Sequence, residues 1–161
     1  MPDTHPIKRI VNVTHYSHHH GNLAKEAANQ QFKMGNLLSL NAAGEAVPTA
    51  GGPPAAAAKN FLAARDGENS ATPRPLPRVT PQPNMVFEVT ATGAAATAAL
   101  LQPGKKYGYK VDPATGLGVL DLTDTTNAVW ELTAHNGGTL VKGRGALQDT
   151  NVGVYARLLA Q

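Results

Sequence analysis

The half of the chain after Asn84 carries a regular series of short β-prone runs. In "MVFEVTAT", Phe87 and Val89 fall on one face and the residues at 86, 88 and 90 fall on the other, as in a half-buried strand. Four more runs follow, separated by turn signals: "KYGYKVD", "LGVLDLTD", "AVWELTA" and "VGVYARLLA". Short strands at this spacing predict a mainly β chain that folds as a small barrel or a sandwich-like domain.

Proline interrupts the pattern in the middle of the chain. Seven of the twelve prolines lie between Gly52 and Asn84. Each fixes φ and removes a backbone donor, so "ATPRPLPRVTPQPN" is predicted to be an extended, polyproline-like connector. It either drapes over a neighbouring molecule or serves as a linker. We therefore expect one β-rich domain over residues 22–161, with a long Pro/Ala-rich insert at about 52–84.

Shorter elements are expected before and beside that insert. The apolar run at residues 37–40 and the turn signal at 41–44 predict a hairpin, and a further strand is expected at 61–64. "NLAKEAANQQF" contains helix formers behind a possible N-cap at Asn22, which favours a short helix or helical turn. "GAAATAALLQPG" is expected to make one helical turn before Pro103.

Residues 1–21 read as an extended N-terminal arm. The β-favouring positions Ile7, Ile10, Val11 and Val13 are too few to fold alone and are followed by a polar, histidine-rich tail. We expect the arm to pair with something else.

The composition favours a thin core. Hydrophobic residues make up 42% of the 161 residues, but aromatic residues make up only 5%. Many of the other hydrophobic residues are alanines, which contribute little transfer free energy when they are buried. Such a chain gains from burying surface against copies of itself or a partner. There are no cysteines, so disulfides and thiolate metal sites are excluded, which fits a reducing compartment or a particle assembled inside a cell.

Membrane and nucleic-acid partners are not expected. No run of about 18 apolar residues occurs, and the N-terminal residues lack the apolar stretch of a secretory signal. The net charge of +3, without Lys/Arg runs or interleaved aromatic residues, is weak evidence for nucleic acid binding.

Three aspartates, Asp112, Asp121 and Asp124, are the candidates for paired carboxylates or a calcium loop. A calcium loop needs oxygen ligands at dense alternate positions, which "DPATGLGVLDLTD" lacks. Their positions beside turn residues predict that they close turns.

The most metal-like feature is the histidine cluster His15, His18, His19 and His20. A functional site needs ligands that converge from separate elements with supporting partners, which an arm does not supply. These histidines are weak metal candidates, better interpreted as a pH-sensitive charge. His135 is expected in a turn, and no cofactor is expected.

No catalytic set is apparent. None of the serines lies in a G-x-S-x-G context, and "PGKKYGYK" lacks the spacing of a phosphate-binding loop. We expect no enzymatic activity, and core packing rather than ligand stacking for the aromatic residues: Phe87, Tyr107, Tyr109, Trp130 and Tyr155.

The succession of parts resembles the head decoration, or capsid cement, proteins of tailed bacteriophages. The likeness lies in "QFKMGNLLSLNAAGEAVP", where an F-x-x-G step leads into a strand, a glycine turn and V-P, and then in "FEVTATG", "LLQPGKKYGYKVDPATGLGVLDLTD" and the closing "VGVYARLLA". It covers roughly residues 30–50 and 84–161. The proline-rich insert and the histidine-rich leader depart from the compact members of such families.

The resemblance implies a non-enzymatic virion protein, made in the host cytoplasm and bound to the outer capsid surface. It would clamp adjacent major capsid subunits as a homotrimer or another symmetric cluster, with the arm adding a strand to the shell. The arm residues that would contact the capsid are Ile7, Lys8, Arg9, Ile10, Val11, Val13 and Tyr16. The alternatives are a phage tail or baseplate β module and a carbohydrate-binding β domain that uses Trp130 and the tyrosines as a platform.

Overall fold

The computed structural model describes residues 8–11, 23–49, 60–79 and 85–159, and for residues 8–11 and 79 it describes the backbone alone. Eleven strands run through these residues, and the mainly β prediction is confirmed. Within those ranges no helix is long and apolar enough to cross a membrane. The strands are β1 (Lys8–Val11), β2 (Leu23–Glu26), β3 (Leu37–Leu40), β4 (Glu45–Pro48), β5 (Phe61–Ala63), β6 (Leu76–Val79), β7 (Met85–Thr92), β8 (Lys106–Val111), β9 (Gly118–Asp121), β10 (Trp130–Leu132) and β11 (Val152–Leu158).

The first barrel closes in the order β2-β4-β3-β5-β6. Its β3–β4 hairpin is antiparallel, as predicted, with Ser39 opposite Val47. The Asn41 side chain fixes the turn, because its Oδ1 accepts hydrogen bonds from the backbone N–H groups of Ala43 (3.0 Å) and Glu45 (2.9 Å). The strand predicted at 61–64 is confirmed as β5, which pairs with β3.

The helix predicted from Asn22 is wrong. Residues 23–26 form β2, in which Ala24 and Glu26 are buried while Leu23 and Lys25 are exposed. This alternation with a period of two residues is that of a strand in the barrel wall, where β2 pairs with both β4 and β6. Tertiary pairing outweighs the helix preference of a short alanine-containing run.

The proline-rich stretch is not only a connector in its described part, residues 71–79. It contains β6, in which Pro77 lies opposite Leu23 of β2. Proline lacks only the ladder donor, and the Pro77 carbonyl still accepts a hydrogen bond from the Ala64 N–H at 3.1 Å. The predicted insert at 52–84 therefore supplies two strands of the first barrel, β5 and β6.

The second barrel consists of the five strands predicted after Asn84. They close in the order β7-β11-β10-β8-β9, and a short parallel pairing of β9 with β7 completes the ring. The predicted helical turn before Pro103 is confirmed by a hydrogen bond of 3.0 Å from the Leu101 N–H to the Thr97 carbonyl.

β7 is buried on both faces rather than on one. Phe87 and Val89 face the barrel interior, while Val86 packs on the other side against Val141 and Tyr155. The cause is the long connection between β10 and β11, which contributes Val141 and lies over the outer face of the sheet.

The expectation of a thin core is wrong for the described residues. Alanine supplies only seven of their 31 buried hydrophobic side chains. The largest fully buried side chains include Trp130 and Phe87, whose rings meet edge-on with centroids 5.8 Å apart. The Ala55–Ala58 run that raised the alanine content lies outside the described residues.

The two barrels share a packed and hydrogen-bonded joint. Leu37 and Leu62 of the first barrel belong to the hydrophobic core of the second. The buried Asn36 amide donates to the Gly116 carbonyl at 3.0 Å and accepts from the Gly118 N–H at 2.7 Å. Two closed sheets therefore form one continuous unit.

Tyr109 provides the second polar link across this joint. The Leu37 N–H donates to its hydroxyl at 3.1 Å. The ring lies against Gly118, where any Cβ would be 2.6 Å from Tyr109 Cε2, so a side chain there would displace the tyrosine. Burial raises the pKa of Tyr109 to about 12, partly offset by the hydrogen bond from Leu37.

Replacing Tyr109 with Phe should lower the free energy of unfolding by about 1–3 kcal/mol, because the buried Leu37 N–H loses its acceptor. Urea unfolding near pH 7 measures this. Tyr155→Phe is the matched control, since no hydrogen bond of its hydroxyl is seen among the described residues. An equal loss in the two variants would contradict the role of the Tyr109 hydroxyl.

The same tyrosine predicts an alkaline transition. Its pKa rises from 10.0 to about 12 on folding, so the unfolded state releases the proton first. The contribution of the protonated Tyr109 hydroxyl to the free energy of unfolding is complete below about pH 10 and is lost as the pH rises to about 12. We expect unfolding midpoints of the wild type to fall across this window more steeply than those of Tyr109→Phe; parallel curves would contradict the assignment.

Candidate functional site

The candidate site is the sheet edge at which the N-terminal strand joins the second barrel. β1 pairs antiparallel with β7, with Lys8 opposite Glu88, Ile10 opposite Val86 and Val11 opposite Met85. The arm was predicted to pair with something else; along one edge its partner is instead its own chain. The other arm residues assigned to the site, Ile7, Val13 and Tyr16, lie outside the described residues.

The local reason lies in how β7 is shared. On one side it pairs with β11 over Phe87–Ala91, whereas on the other side β9 pairs only with Ala91 and Thr92. The stretch Met85–Glu88 is thus left with free backbone groups on that side. β1 fills this stretch, and barrel closure does not require it.

The far edge of β1 is open in the part of the chain that the structure describes. β1 ends the six-stranded sheet, and among the described strands only β7 pairs with it. An edge strand presents a row of main-chain donors and acceptors that can accept another strand. It is the one place where the described sheet ends without closing on itself.

The receiving strand is firmly supported. The Glu88 carboxylate lies 3.5 Å from the Arg144 guanidinium, and both side chains are largely buried. Arg144 also donates to the Thr90 hydroxyl at 3.1 Å. Together with the Val86–Val141–Tyr155 cluster, these contacts hold the outer face of β7 next to the edge that β1 occupies.

The three aspartates close turns, as predicted. Asp112 accepts from the Ala114 N–H and the Thr115 hydroxyl, and Asp121 accepts from the N–H (3.0 Å) and hydroxyl (2.6 Å) of Thr123. Burial works to raise the pKa of Asp121, but the Thr123 hydrogen bonds and Lys110, 3.1 Å away, hold it below its usual range.

Asp124 organises the next turn. Its Oδ1 accepts from the backbone N–H groups of Asn127 (2.9 Å) and Thr126 (3.0 Å), and the Asn127 hydrogen bond is the main reason that the pKa of Asp124 is lowered. The carboxylate packs against Gly108, where a Cβ would lie 2.4 Å from Oδ2. These carboxylates are already satisfied by their own turns. Over the described residues no group of three or more His, Asp or Glu side chains is placed to hold a metal ion.

The predicted core role of the aromatic residues is confirmed. Phe87, Tyr107, Tyr109, Trp130 and Tyr155 are all buried, as are Phe32 and Phe61. A stacking platform needs exposed ring faces. Trp130 and these tyrosines therefore cannot form the platform required by the carbohydrate-binding alternative.

The histidines divide between the described and the undescribed parts of the chain. His15, His18, His19 and His20 lie outside the described residues. His135 lies in a turn, as predicted: it forms a β-bridge with Gly138, and its ring stacks at a tilt on Tyr155 with centroids 4.8 Å apart.

Two polar sites were missed in the sequence. Asn36 links the barrels, and Glu26, fully buried in β2, lies 2.8 Å from the Arg65 guanidinium and accepts from the Glu68 N–H at 2.8 Å. The Arg65 contact is an ion pair without the alignment of a hydrogen bond. No local sequence pattern predicts that Asn36, which follows a glycine, or Glu26, in a short run of residues, would be buried and paired.

The chain matches no protein-family model, no curated protein and no solved structure.

Replacing Asp124 with Ala should destabilise the protein by about 1–2 kcal/mol, since two turn N–H groups lose their acceptor. Asp124→Asn keeps an acceptor oxygen, so its free energy of unfolding should fall by less.

A calcium titration tests the aspartates separately. Added calcium should leave the midpoint of thermal unfolding of the wild type unchanged. A saturable rise with calcium would show that the aspartates form an ion site.

Proposed function

We propose that this protein is a structural virion protein that binds the outer surface of an assembled phage capsid and stabilises it by bridging major capsid subunits. The observation that carries the proposal is the edge of β1 that no other described strand covers, at the end of a sheet beside an otherwise closed barrel. Strand addition at such an edge uses main-chain hydrogen bonds. Side-chain contacts would come from the arm residues predicted to meet the capsid: Ile7, Lys8, Arg9, Ile10, Val11, Val13 and Tyr16.

The charges of the described surface support a protein partner over nucleic acid. Most described lysines and arginines are within ion pairs, such as Lys25 with Glu45 at 2.6 Å and Arg74 with Glu68 at 2.5 Å. The Arg74 backbone N–H also donates to the Glu68 carboxylate at 2.8 Å, and this hydrogen bond is the main cause of the lowered pKa of that carboxyl. Charge neutralised in this way leaves little to bind phosphates.

The energetics suit a lattice with many copies. A hydrogen bond contributes about 0.5–1.5 kcal/mol net, so a four-residue strand gives only weak attachment for one copy. Self-association into a trimer or another symmetric cluster would place several such strands on neighbouring subunits, and their affinities would reinforce one another. Binding that is selective for the assembled shell stabilises the shell by mass action.

The carbohydrate-binding alternative loses its basis, because its proposed platform is buried. A phage tail or baseplate β module would use the same open edge and differs only in the surface it meets.

Purified capsids prepared without the protein distinguish a capsid-binding protein from a tail or baseplate module. We expect saturable addition with a fixed stoichiometry and a higher temperature of capsid disruption, whereas binding to tails alone would favour the module.

Deletion of residues 1–21 tests the arm. The two closed barrels should remain folded, as judged by the near-ultraviolet circular dichroism of the buried Trp130, while capsid binding weakens severely. Deletion of residues 1–5, which keeps Ile7 to Tyr16, is the matched control and should bind as the full chain does. Unchanged capsid affinity after the longer deletion would show that the arm is not the anchor.

The histidines give a separate test. Replacing His18, His19 and His20 with Ala should leave capsid binding nearly unchanged at neutral pH, because the proposed contact uses no metal ion. Capsid affinity is measured with and without a chelator. Loss of binding in the triple variant, together with loss of wild-type binding in the chelator that zinc restores, would overturn the metal-free proposal.

A further inference from the structure

The edge Met85–Glu88 of β7 is an acceptor for a strand that the barrel does not need. The ring β7-β11-β10-β8-β9 closes through the pairing of Ala91 and Thr92 with β9. β1 is added beside that pairing on the same side of β7. Removing β1 therefore exposes one four-residue edge without breaking the ring.

The covalent link of β1 runs to the other barrel. β1 pairs with the second barrel, but the chain continues from Val11 through residues 12–22 into β2 of the first. The twelve steps from Val11 to Leu23 can span up to about 40 Å. That reach is comparable to the diameter of a small domain, so the link can lead to the β7 of a neighbouring molecule as well as to its own.

We propose that β1 is exchanged between copies of this chain, so that the β1 of one molecule pairs with Met85–Glu88 of another. A second copy of the chain suits the Met85–Glu88 edge, because it presents the same KRIV segment and can pair in the same register, with Ile10 opposite Val86. Exchange of an identical element is a low-cost route to symmetric assemblies. The inference specifies the contact for the self-association included in the proposed function.

Concentration decides which pairing prevails. The pairing is the same within a chain and between chains, so the balance is set by the effective concentration that the covalent link gives the strand, which is on the order of millimolar for short links. In dilute solution we expect the chain to pair with itself, with the β1–β7 register of the single chain. At about millimolar protein, or when copies are held side by side on a shell, exchange competes.

The absence of cysteine allows a direct test by thiol cross-linking. Full-length Ile10→Cys and Val86→Cys variants, one carrying an affinity tag, are unfolded together and refolded at dilute and at about millimolar concentration. A short thiol-specific cross-linker is then added. We expect covalent heterodimers that increase with concentration and that excess peptide of residues 1–21 suppresses. The single-chain double variant should cross-link internally when dilute.

Ala43→Cys, in the exposed β3–β4 turn, replaces Val86→Cys in the control mixture and measures random collisions. If Val86→Cys fails to fold, the register pair Val11→Cys and Met85→Cys is used instead. Heterodimer no more abundant than in the Ala43 control overturns strand exchange. Sedimentation measures self-association separately from strand exchange. An oligomer that forms without this cross-link would overturn strand exchange but not self-association. The capsid-binding proposal is tested by its own binding experiment.

Discussion

β7 has two edges and three partners. β11 runs along one edge, while β1 and β9 divide the other between them, with β1 at Met85–Glu88 and β9 at Ala91–Thr92. The short β9 pairing closes the barrel, so β1 is bound to the fold without being required for closure. The open sheet edge, the position of the arm and the possibility of exchange all follow from this division of one strand.

Most of the polar chemistry elsewhere is directed inward. The aspartates serve their own turns, the described aromatic rings fill the cores, and the buried Asn36 and Tyr109 join the two barrels. Under the proposed function, a surface organised in this way would meet its partner through the backbone edge of β1 and the residues around that edge. This mode of recognition suits repeated weak contacts on a lattice better than tight capture of a small ligand.

Local sequence signals identified the elements whose structure is determined locally. The five later strands, the β3–β4 hairpin and the turn roles of Asp121 and Asp124 follow from periodicity and turn chemistry within a few residues. β2 and β6 were missed because helix formers and prolines contradict their strand state locally, and only barrel pairing enforces it. The β1–β7 register joins residues 74 to 80 positions apart, from Val11 with Met85 to Lys8 with Glu88, and no local pattern specifies it.

Hydrogen exchange of the intact protein at increasing, sub-denaturing urea concentrations tests most directly whether β1 is separable from the barrel. Those amides of Lys8–Val11 that pair with β7 should exchange through a local opening whose free energy barely changes with urea. Amides of Val152–Leu158 in β11 should exchange only by global unfolding, with a steep urea dependence. Equal protection and equal urea dependence in the two strands would contradict the account, because β1 would then be an integral part of the barrel.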